Sequence, residues 1–404
     1  EPVDRIAGTD NDFRMGLNEP EWPPMSIPPG RGIPSSESEN MVLRVLPDED
    51  RVISDYVAFL HTHSQIPQCA QKLKELGQRA AAKKKQAELR AIGDKLYRLD
   101  NEEHRIANLF ATDPQTAIKE LRGVIEKRRQ IGYDPARLIS SLCALGENLN
   151  ALGLVKEAEL PLNEALKLSE KLTDKYKVFQ ANPNLYLGMS KMQSGDFEEA
   201  NRHISAAVAI LDSEKSQLFR AAQARLTLVE CLIEQKNCKD ATSVLEAAMN
   251  AFDSVLAADP SNALSAEIAR LRAMLFLATG QTKEAIVQSQ LSTSLLKKEE
   301  EDRSDNSRDQ IDDRMLAARC DIAAGKRSEA LTSLDSADEL IAVEPGQPQG
   351  LTAQLAEIRA ELAVADGNPS LARDQYQNAI DIVTETIGPC PRLEQLKTAQ
   401  KRVQ

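Results

Sequence analysis

An alanine that returns every 41 to 45 residues constrains this chain more than any other feature. In "SGDFEEANRHISAAVAIL", Ser194 to Leu211, it is Ala200, preceded by an acidic pair. The same place is held by Ala117, Ala158, Ala241, Ala285, Ala330 and Ala372, with successive spacings of 41, 42, 41, 44, 45 and 42 residues. A period this regular marks an array of supersecondary units, none of which buries its apolar face alone.

The unit has a physical rationale. Five residues before the alanine stands Gly153, Gly195, Gly280, Gly325 or Gly367, with Lys236 as the exception. Glycine there ends a helix in the left-handed region. Twelve residues before the alanine lies Gly146, Gly188, Ala273, Ala318 or Ala360, and Val229 in the third complete unit. Seven after it lies Ala165, Ala207, Ala248, Ser292, Ala337 or Ala379. Small residues at these places let a helix A, a helix B and the next helix A approach closely. Glu157, Glu199, Asp240, Glu284 and Glu329 fall in the first turn of helix B, where they complement the positive end of its dipole. The recurring pattern is packing chemistry and not a catalytic constellation.

Composition narrows the function classes. Of the 404 residues 42 % are hydrophobic and 4 % aromatic, and the net charge is −12. So acidic a chain lacks the clustered Lys and Arg that phosphate backbones require, and nucleic acid is set aside. No apolar run reaches eighteen residues, so no transmembrane segment is expected. Cys69, Cys143, Cys231, Cys238, Cys320 and Cys390 are dispersed without a C-x-x-C, which indicates neither a zinc site nor a disulfide framework. Cys231 and Cys238, seven apart, are the one pair for which a disulfide stays open. His61 and His63 have no carboxylate or cysteine in ligand spacing, and no metal is expected. Phosphate-loop, dinucleotide and nucleophile-elbow motifs are lacking, so neither an enzyme nor a cofactor is expected.

Three regions follow. Residues 1–47 form a proline-rich extended arm, with six prolines between Asn18 and Ser36. Trp22 and Met25 are the anchors by which such an arm docks on the body or on a neighbouring subunit. Residues 48–100 read as a helical N-terminal region, a degenerate repeat in its simplest form, and 101–404 as the array with a C-terminal capping helix. The opening at Glu1 leans toward a mature exported chain, with a trimmed terminus as the alternative.

The units resemble the tetratricopeptide repeat (TPR) family, through Leu142, Leu145, Gly146, Leu149, Gly153, Ala158, Leu162 and Ala165. Leu187, Gly188, Gly195, Ala200, Ile204 and Ala207 carry it into the next unit. The long period is similar to the kinesin light chain type. Arg225, Arg272 and Asp321 depart from the pattern, standing where apolar groups are usual. The resemblance implies an all-α fold, a right-handed α-solenoid of tandem helix-turn-helix units, with helix A lining a concave face. Carried over by position, that face presents Glu147, Asn150, Met189, Met192, Gln193, Glu230, Glu234, Arg270, Met274, Met315, Arg319 and Glu361. Cys143 and Glu147 replace the basic and amide residues of a carboxylate clamp, so a basic or mixed protein partner is the expectation. The function implied is a non-enzymatic interaction scaffold. The alternative is a structural subunit whose arm reaches the next copy.

Overall fold

The structure is a computed structural model and describes residues 79–132, 134–172, 174–258, 263–300 and 307–403. The arm, with Trp22 and Met25, lies outside the described residues, as do Cys69, His61 and His63. Among the described residues the chain is built from fifteen α-helices and no strand.

Seven antiparallel hairpins follow one another, each packed on the next. The first three are α1 (Arg79–Phe110) with α2 (Pro114–Ile131), α3 (Pro135–Ala151) with α4 (Val155–Ser169), and α5 (Ala181–Gln193) with α6 (Phe197–Asp212). Then come α7 (Leu218–Glu234) with α8 (Cys238–Ala258), and α9 (Ala263–Ala278) with α10 (Thr282–Glu300). The last pairs are α11 (Ser307–Ala323) with α12 (Arg327–Val343) and α13 (Gln349–Ala365) with α14 (Pro369–Thr386). A final helix, α15 (Pro391–Arg402), covers the end through Leu393 and Leu396. The expected boundary at residue 100 falls inside α1, which runs unbroken across it and serves as helix A of the first unit.

Local chemistry sets the helix ends. Asp113, Asp134, Asp196 and Asn368 each cap a helix by accepting from a backbone N–H three residues on, at 3.1, 3.0, 3.4 and 3.2 Å. Pro114, Pro135, Pro369 and Pro391 open their helices, where no N–H is needed.

The turn from A to B is the same in six units. In the α3–α4 turn, the Gly153 N–H donates to Asn150 O at 3.0 Å and the Leu154 N–H to Leu149 O at 2.9 Å. This doubly bonded helix stop needs a positive φ at its hinge residue. Lys236 adopts it too, at φ 61°, with the same two bonds to Ile233 O and Leu232 O. The turn geometry overrides the absent glycine.

The anchor alanines, Ala117 through Ala372, are all buried, and so are the small residues on both sides of them. Space is tightest in the two best-matched units. A Cβ on Gly146 would meet Leu162 Cγ at 2.3 Å, and one on Gly188 would meet Ile204 Cγ1 at 2.4 Å. Glycine thus lets Leu162 and Ile204 bury completely, worth about 1.5–3 kcal/mol each. Ser292 stands where alanine is usual and satisfies its hydroxyl on Ala266 O at 2.8 Å. Arg225, Arg272 and Asp321 do not disturb the register. Arg225 pairs with Asp212 at 2.6 Å, Arg272 reaches the Met249 sulfur at 3.3 Å, and Asp321 faces Lys326 at 3.9 Å. Cys231 and Cys238 are both free thiols, which closes the disulfide question.

Candidate functional site

From the second unit on, each A helix also packs against the next A helix, and along them the sequence-predicted residues divide into two groups. Glu230, Glu234, Arg270, Arg319 and Glu361 come together in one network of charge. Arg270 faces Glu230 at 3.8 Å, Arg319 faces Glu361 at 3.6 Å, and Arg392 of α15 donates to Glu357 of α13 at 3.1 Å.

The network crosses the interior. Glu234, at the end of α7, is accessible to water, yet surrounding protein limits its solvation and raises its pKa. It also senses Arg319 on α11, Glu357 on α13 and Arg392 on α15. Glu234 is thus exposed and still surrounded by charges from α7, α11, α13 and α15. Burial likewise raises Glu361 and Glu267, and pushes Asp312 up to about 6. Against the cost of burial, Glu361, Glu357 and Glu234 hold the Arg319 guanidinium charged.

At the N-terminal side Glu147 is raised by burial and hydrogen-bonded to Tyr186, whose own phenol is pushed well above its usual range by burial and by Glu147. Met189 and Gln193, on the same helix as Tyr186, are half-buried. Gln193 spends its amide on Asn150 O at 3.1 Å.

Two expectations are corrected. Asn150 is not presented to a partner: it is 2 % exposed and bonded between α3 and α5. Met315 is 4 % exposed and packs with Ile311, Leu334 and Leu355. In both cases the side chain is buried against the neighbouring unit. Met192 and Met274 are half-buried against the core between α5 and α9. Tyr186 beside Glu147, and Glu267, Asp312 and Arg392 in the charge network, were missed. Glu267 and Asp312 lie one helical turn before positions already singled out, so the same face extended by a turn would have found them. Among the described residues no group of three His, Cys, Asp or Glu side chains has metal-holding geometry.

No family model matches the sequence, and no curated protein matches it. Solved structures do. The apo form of RapI superimposes with a TM-score of 0.52 at 13 % identity, over 72 % of this chain and 98 % of RapI. The fold is that of a TPR-like repeat array. Also similar, at lower TM-scores, is a tetratricopeptide repeat protein from Parabacteroides merdae (0.42, 17 % identity, 76 % of this chain and 98 % of that one). Nearly identical TPR-like repeats of kinesin light chain type from Podosopora anserina match with 0.34 and 21 % identity, over 52 % of this chain and 96 % of theirs. Among the described residues no helix is long and apolar enough to cross a membrane.

Proposed function

We propose that this chain is a non-enzymatic scaffold that holds an extended, cationic or mixed-charge segment of a protein partner in its lumen. The observation that carries this is the imbalance of lumen charge. Among the described residues, the six carboxylates Glu230, Glu234, Glu267, Asp312, Glu357 and Glu361 face four cations, Arg270, Arg308, Arg319 and Arg392. Crowding has already raised several of the carboxyl pKa values, so an incoming Lys or Arg gains more here than on an open surface. The half-buried methionines Met189, Met192 and Met274 border the charges and supply adaptable apolar contact.

The test is affinity enrichment from the native source at rising salt, with the wild type beside Glu234→Gln/Glu361→Gln. A polypeptide held by the lumen is lost at high salt and in the double variant. Enrichment that survives both, but disappears in Leu160→Glu on the outer surface, overturns the proposal; Leu160 is 74 % exposed.

A further inference from the structure

The lumen is enclosed because the array meets itself. The N–H of Gln349, at the start of α13, donates to Leu152 O in the α3–α4 turn at 3.2 Å. The N–H of Arg392, in the first turn of α15, donates to Ser194 O in the α5–α6 turn at 3.0 Å. Around these bonds the backbones leave no room for a side chain. A Cβ on Gly153 would lie 2.4 Å from Gly350 N, and one on Gly195 would lie 2.9 Å from Arg392 N. Gly346, in the loop before α13, sits so close that its Cβ would meet Pro114 at 2.6 Å and Leu152 at 3.0 Å.

The other turn glycines make the comparison. Gly280, Gly325 and Gly367 hold the same left-handed turn at φ 76°, 74° and 69°, and nothing stands within 4 Å of their missing Cβ. Among the described A-to-B turn glycines, only Gly153 and Gly195, at the point of self-contact, are short of space as well as left-handed, and Gly346 in the loop facing them shares both properties. We propose that these contacts form a latch that closes the superhelix into a ring, and that releasing it exposes the lumen. The Arg392–Glu357 bond ties α15 to α13, so the two halves of the latch move together. The latch consists of two backbone hydrogen bonds and a few close backbone contacts, far less than any hairpin interface. Small rotations spread over the unit interfaces therefore open it without unfolding a unit. The closure stands independently of which partner uses the lumen; only its role as a gate rests on the proposed function.

The test uses the full chain and two matched variants. Gly153→Ala/Gly195→Ala and Gly325→Ala/Gly367→Ala impose the same left-handed strain, but only the first pair drives a Cβ into the latch. Small-angle scattering reads closure. Hydrogen exchange at Gln349 and Arg392 reads the latch bonds, because first-turn amides have no partner within their own helix. Carbodiimide labelling of Glu234 and Glu361 with glycine ethyl ester reads access to the lumen. The first variant is expected to show a larger radius of gyration, exchange faster by about tenfold or more at the two amides, and faster labelling. The second is expected to melt earlier yet match the wild type in all three. If Gln349 and Arg392 of the wild type exchange as fast as Ser370, which holds the corresponding place in α14, the latch is not formed in solution. If both variants scatter and label alike, the proposal is likewise overturned. An expanded first variant with unchanged labelling leaves the latch standing and removes its role as a gate.

Discussion

The hydroxyl of Ser190 on α5 donates to Oδ1 of Asn150 on α3 at 2.8 Å, and the Asn150 amide donates in turn to Tyr186 O at 3.0 Å. Both residues are buried, so this polar pair pins one unit to the next inside an otherwise apolar interface. Asn150→Ala removes the hydrogen-bonding partner and is expected to cost about 1–3 kcal/mol. Urea unfolding followed by circular dichroism measures it. An unchanged midpoint would show that the pair contributes nothing.

Glycine does opposite jobs at two sites in helices. Gly146→Ala puts a methyl against Leu162 and is expected to destabilise by about 1–3 kcal/mol. Gly123, on the exposed face of α2, has nothing within 4 Å of its missing Cβ. Gly123→Ala is expected to stabilise by about 0.5–1 kcal/mol through helix propensity alone. Thermal melts of the two single variants should move in opposite directions.

Asp313 of α11 is buried, and burial pushes its carboxyl up to about 6 although the hydroxyls of Ser292 and Thr293 lie 3.0 and 3.4 Å from it. Arg270 and Asp312 are its charged neighbours. Because the folded value lies above the unfolded one, the folded chain holds the proton more tightly. Stability from this group is therefore lost as pH rises from about 4 through 6. Asp134, pushed up to about 7 by burial, acts in the same direction. The melting temperature is expected to rise on acidification from pH 7.5 to 5, and Asp313→Asn to flatten that slope. A variant with the wild-type slope would assign the effect elsewhere.

Lys236 holds a left-handed turn without being glycine. Lys236→Gly relieves a conformation that costs a side-chain-bearing residue about 1–2 kcal/mol, less the entropy that glycine adds to the unfolded chain. A net gain of about 0.5–1 kcal/mol is expected from denaturant unfolding. A loss would mean that the Lys236 side chain contributes to the turn.

The repeat was legible because each requirement of the hairpin leaves a residue behind: a left-handed stop at Gly195, a close approach at Gly188, a buried contact at Ala200. Even the exceptions read correctly in position, since Lys236 and Val229 occupy the turn and the interface of an ordinary unit. The same offsets also picked Glu230, Glu234 and Arg319, which come together in one charge network. Asn150 and Met315 were misplaced because their positions lie at the flank of helix A, where Ile233, Cys143 and Leu226 at the same offsets are buried as well. Self-contact between Gly153 and Gly350 had no local signal. It depends on how small rotations accumulate over many units, which no window of sequence contains.

Photocrosslinking from single sites reads directly whether a partner occupies the lumen. A benzophenone amino acid is placed at Met189 or Glu234 in the lumen, or at Leu160 or Val343 on the outside, where exposures are 74 and 76 %. In native extract, the account expects one polypeptide to be captured from both lumen sites and from neither outer site. Capture from Leu160 or Val343 alone, or of this same chain only, would contradict a partner held in the lumen.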